Sequence, residues 1–173
     1  MDSARSYARI TKTDLKRLAR LAQEDREDFF ERHREFALLY RKRLLCVALG
    51  GSAALHYLNG ITGVREFRVW SFYAEHAEAP FPIHQVSHAD YGESKFGRGL
   101  DLPETYTGRR VVLQGRSIDA LPSDDPLEAV QRYLRAAGSP TAKELAAKAV
   151  VLLEPEALLG LEAWPSLVLP SRR

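Results

Sequence analysis

The chain reads as an α/β (α+β) protein: a small mixed β-sheet with packed helices, preceded by an N-terminal helical extension. Three observations carry that expectation. Leu44 to Leu49 (LLCVAL) is continuously apolar, as a strand covered on both faces would be. Glu66 to Phe72 alternates with a period of two: Phe67, Val69 and Ser71 point one way, and Glu66, Arg68, Trp70 and Phe72 the other. Around these runs lie stretches with helical spacing, among them Leu15, Leu18 and Leu21 near the start and Leu127, Val130 and Leu134 near the end.

Composition narrows the function classes. With 173 residues, 45% of them hydrophobic and 28% charged, the chain is large enough to bury a core as a single globular unit. No segment approaches the roughly 18 consecutive apolar residues of a membrane span. The stretch MDSARSYARITKTDLKR carries basic residues without the apolar core of a secretory signal. Cys46 is the single cysteine and sits inside the first strand, so it reads as a small core residue. Together these features predict a cytoplasmic protein without a membrane partner. A net charge of +2 does not indicate nucleic acid.

Taken in order, residues 1–43 form the helical extension and residues 44–173 the main domain. A helix is expected from Thr11, with Asp14 completing a near capping box. After the acidic patch EDREDFF, a second stripe runs through Phe29, His33, Phe36, Ala37 and Tyr40, with His33 packed on or beside its buried face. Arg41, Lys42 and Arg43 suit a helix C-terminus. The first strand then ends in Gly50-Gly51-Ser52, which opens a short helix. Such a turn can hold an anion, because first-turn amides lack helical partners and the dipole favours negative charge there.

On the second strand, Glu66 and Arg68 share the face beside that turn. The following segment, HQVSHADYGESKFGRGLDLPETYTG, contains His84, His88, Asp90, Glu93, Asp101 and Glu104 and reads as a polar loop or short strands, a lid over the pocket being one role for it. A third strand, Arg110 to Gln114, places Arg110, Val112 and Gln114 on one face. Arg109, Arg110 and Arg116 flank it, and with Arg68 they suit either phosphate recognition or ion pairs with Glu66 and Asp119. Asp124 or Asp125 caps a helix opened by Pro126 and ended by Gly138. Ser139-Pro140 starts another, expected to run through Leu153 with Leu145, Ala149 and Leu152 buried and Lys143 and Lys148 along it. The tail carries Leu167, Val168 and Leu169 between prolines, suited to extend the domain or meet a partner.

The order of apolar strand, Gly-Gly-Ser turn, short helix, Thr62-Gly63, and a strand opening at Glu66 resembles the minimal nucleotidyltransferase fold over roughly residues 44–153. That superfamily includes aminoglycoside nucleotidyltransferases and the nucleotidyltransferase partners of toxin-antitoxin and phage-defence pairs. The resemblance implies that Gly50, Gly51 and Ser52 hold a nucleoside triphosphate. It implies two carboxylates one residue apart on the second strand for two Mg²⁺ ions, a third carboxylate on a later strand, and a phosphate-facing lysine at Lys148. The chemistry requires several hard oxygen ligands on one surface to clamp the attacking and leaving oxygens.

The sequence departs from that pattern. Glu66 fills the first acidic position, but Arg68 stands at the second and Val112 at the third. A guanidinium does not ligate Mg²⁺, and its charge repels the ion. The leading expectation is therefore a degenerate, pseudoenzyme-like member that binds a nucleotide or other phosphate-bearing small molecule through Gly50, Gly51, Ser52, Arg68, Arg110 and Lys148, with weak or no metal-dependent transfer. Glu66 remains its one catalytic and metal-ligand candidate. Two alternatives stand beside it: an active enzyme that moves a nucleotide monophosphate to a hydroxyl, its Mg²⁺ site rebuilt from Glu66 with Asp90, Asp101 or another loop carboxylate, and a scaffold or inhibitor that binds a protein partner.

Overall fold

The structure, a computed structural model, describes residues 5–81 and 86–165. His84 and the apolar tail residues Leu167, Val168 and Leu169 lie outside them. The chain begins with α1 (Lys12–Arg32) and α2 (Arg34–Tyr40), and then forms β1 (Leu44–Gly50), α3 (Gly51–Asn59) and β2 (Phe67–Ala74). It continues through β3 (Val86–Asp90), β4 (Arg110–Ile118), α4 (Pro126–Ala136), α5 (Pro140–Ala146) and β5 (Val150–Glu154), and ends in the short β6 (Glu162–Trp164).

The six strands make one open sheet in the order β3-β4-β2-β1-β5-β6. β2 and β4 run parallel, and the other pairs are antiparallel, so the sheet is mixed as expected. Helices cover both faces. On one side Leu15, Leu18 and Ala22 of α1 and Ala53 and Ala54 of α3 pack on Val47, Leu49, Phe67, Val69 and Val151. On the other, Val130 and Leu134 of α4 and Leu145 of α5 pack on Cys46, Ala48, Trp70, Phe72 and Leu152. Side chains on successive strand positions point to opposite faces, so each central strand feeds both cores.

The first helix starts as its residues dictate. Thr11 Oγ1 accepts from the Asp14 amide while the Asp14 carboxylate accepts from the Thr11 amide, completing a capping box. α1 runs on through the acidic patch to Arg32, and the break comes at His33, whose ring packs 4.6 Å from that of Phe29. Phe29, Phe30, Tyr40, Tyr73 and Phe81 then form an aromatic cluster that ties both N-terminal helices to β2.

Two expectations need correction. The helix from Pro140 stops at Ala146, and Val150 to Glu154 is a strand paired with β1, with Ala48 opposite Leu152. Residues 150–153 are buried on both sheet faces, where two β-branched residues in a row fit a pleated surface better than a helix. Lys148 consequently lies in the turn before β5, not on a helix. At the end of α4 the left-handed position falls on Ala137 (φ 49°), one residue before Gly138. Asp125 is the cap at its start, accepting from the Glu128 amide at 3.0 Å.

Candidate phosphate-binding site

β1 delivers the chain to the site. Gly50 is extended (φ −121°, ψ −179°) and precedes Gly51 at φ +70°. Glycine takes that left-handed conformation without the Cβ penalty that other residues incur. A Cβ on Gly50 would come 2.5 Å from Leu145 Cδ2, whereas one on Gly51 would meet nothing within 4 Å. The turn is therefore closed by α5 at Gly50 and open at Gly51, where the amino end of α3 begins.

Three long-range contacts assemble side chains around it. Lys148 Nζ donates to Ser52 Oγ at 2.9 Å across 96 positions of sequence. The β1/β2 register sets Arg68 opposite Gly50. The parallel β2/β4 register sets Val112 beside Arg68 and Gln114 beside Trp70. A cavity of about 120 Å³ opens between these strands and α5, lined by Gly51, Arg68, Trp70, Gln114, Thr141 and Glu144, with Leu145 at its wall. Its size suits a phosphate group, with any sugar and base left outside.

Arg68 Nη2 lies 2.7 Å from Glu66 Oε2, with the two side chains 48% and 25% exposed. The carboxylate is thus partly neutralised by the guanidinium two residues along. The other arginines go elsewhere. Arg109 is buried, and its Nε and Nη1 donate to the carbonyls of Phe96 and Arg65. Burial holds its pKa below the usual value. Arg116 sits 5.3 Å over the Tyr133 ring. Arg110 pairs in register with Asp90 and is not among the residues that line the cavity; its Nε is buried without a hydrogen-bond partner.

The loop carboxylates are placed for other work. Asp90 accepts from the amides of Gly92, Thr107 and Gly108 and from the Thr107 hydroxyl, clamping the loop that joins β3 to β4. Burial pushes its pKa up, but those hydrogen bonds outweigh it and hold the carboxyl below its ordinary value. Neither Asp90 nor Asp101 lines the cavity. Glu144 does, from α5, and sequence reasoning missed it together with Thr141. The signal was present: Thr141, Glu144 and Leu145 follow the i, i+3, i+4 spacing of one helical face.

A two-Mg²⁺ centre does not fit this donor set, because Glu66 is held by Arg68 and its strand neighbour Val112 is apolar. Among the described residues, no group of three or more His, Cys, Asp and Glu is placed to hold a metal. No helix of the described residues is long and apolar enough to cross a membrane. No family model matches the chain, and no curated protein or solved structure matches it.

Proposed function

We propose that this protein binds a phosphate-bearing ligand, a nucleotide being the leading candidate, as a degenerate nucleotidyltransferase-like protein of the cytoplasm with weak or no metal-dependent transfer. The observation that carries the reading is the Lys148–Ser52 contact, which brings a cation from the far end of the chain to the amino end of α3. The Lys148 ammonium beside the cavity, the open glycine at the amino end of α3 and the Arg68 guanidinium in the cavity wall offer donors suited to phosphate oxygens, with Glu144 as the opposing charge. Arg68 takes the position where the resemblance calls for a metal-binding carboxylate. Turned from Glu66 to a bound triphosphate, its charge would supply some of the neutralisation that Mg²⁺ otherwise supplies.

One observation favours a second reading. Glu144 gives the cavity a carboxylate of its own, and Glu66, outside the lining, pairs with the cavity's Arg68; these are the two carboxylates from which an active transferase could rebuild a metal site. Calorimetric titration of the full chain with each of the four ribonucleoside triphosphates, with Mg²⁺ and again with chelator, separates the two. Binding that persists in chelator and weakens about tenfold or more in Lys148→Ala is expected, since one charge-assisted phosphate contact is worth about 1.5–3 kcal/mol. Binding that strictly requires Mg²⁺ and is lost in Glu144→Gln would support the enzyme. No binding under either condition overturns both and leaves the scaffold reading.

A further inference from the structure

We infer that a second copy of this chain packs antiparallel along the outward face of α1, forming a two-fold dimer. Lys12, Lys16, Arg20, Glu24, Glu27 and Glu31 are all exposed and recur at intervals of three and four, so they share one face of the helix. Among the described residues, only Glu27 of these six has a side-chain partner, Gln23 at 3.3 Å. The face is held rigidly outward, because Leu15 and Leu18 on the opposite side are fully buried against the sheet.

The order of charge along this face opposes the helix's own field. Cations occupy the amino-terminal half and anions the carboxyl-terminal half, the reverse of what the macrodipole favours. A second α1 laid antiparallel removes the conflict. Lys12 then faces Glu31 and Lys16 faces Glu27 about one centre between Leu21 and Ala22, and Arg20 meets Glu24 half a residue from that register. Two-fold symmetry makes every pair occur twice, as a self-complementary patch requires. The opposed helix dipoles attract as well.

An apolar element accompanies the charges. Beside the acidic half, a cleft of about 1080 Å³ between α1 and α2 is lined by Glu24, Glu27, Glu31 and Leu38. Leu38 is 89% exposed, the most exposed large apolar side chain recorded among the described residues. A partner helix over the acidic half would cover it. Isolated exposed ion pairs contribute little, so the dimer is expected to be weak and salt-sensitive.

Sedimentation velocity on the full chain at low and high salt, across a concentration series, reads the dimer directly. Wild-type protein should dimerise at low salt and dissociate as salt rises. Lys16→Glu and Glu27→Lys should each weaken dimerisation by more than about tenfold, because each turns two symmetric attractions into repulsions. An equimolar mixture of the two variants should dimerise again, since each reversal then faces its complement across the two-fold axis. Circular dichroism checks that both remain folded, and Arg20→Glu with Glu24→Arg offers a second pair for the same exchange. A wild-type monomer at every concentration overturns the inference. So does a dimer indifferent to the single reversals, or a mixture that stays monomeric.

Discussion

Asp14 joins three parts of the molecule. Its carboxylate closes the capping box with Thr11, accepts the Tyr91 hydroxyl at 2.6 Å and meets Lys95 Nζ at 3.0 Å. Burial raises its pKa, but the hydrogen bonds from Tyr91, Thr11 and Lys95 prevail and hold it below the ordinary carboxylate value. A depressed folded pKa means stability that is present above the unfolded value and is lost as pH falls through the folded one. Asp14→Asn should therefore lower unfolding free energy at neutral pH by about 1–3 kcal/mol, with the two denaturation curves converging on acidification. Cys46 illustrates the opposite case. Burial, helped by the Glu154 charge, pushes its thiol up to about 12. A thiol reagent should label it at neutral pH only at the rate of unfolding, whereas fast labelling of native protein would show that β1 opens locally.

Elements are where local pattern and tertiary context part company. β1 and the turn after it were legible because both signals are local: a run of apolar residues, then two glycines where only glycine fits. Gly51→Ala should destabilise the fold by about 1–2 kcal/mol through its positive φ, without any clash, and thermal denaturation measures it. Gly50→Ala acts differently, since its Cβ would press on Leu145 and displace α5 from the cavity. Its expected signature is weaker phosphate binding in calorimetry together with lost stability. β5 was not legible as a strand. Leu145, Ala149 and Leu152 satisfy helical spacing, and only the vacant edge of β1 makes extended backbone the better partner for residues 150–154.

At the scale of the whole molecule, the decisive feature is the parallel register of β2 on β4. It places Val112 beside Arg68, whose guanidinium meets Glu66 just ahead of β2. Arg68→Asp combined with Val112→Asp should therefore bring three carboxylates close together and raise Mg²⁺ or Mn²⁺ affinity above that of the wild type. Titration with Mn²⁺ followed by paramagnetic resonance reads the gain. A folded double variant that binds no more metal than wild type would mean that these strands do not present a metal site.

The sequence by itself determined the mixed α/β class, the caps at Thr11 and Ser139, the alternation of Phe67 and Val69 against Arg68 and Trp70, and the glycine turn, because each depends on interactions within a few residues of chain. Tertiary structure alone decided which distant groups meet: Lys148 reaches Ser52, Glu144 comes to line the cavity, and Arg109 turns away into the loop core. Periodicity specifies the face a side chain occupies. Which neighbour stands across that face depends on strand order and helix packing, set by burial of both cores at once.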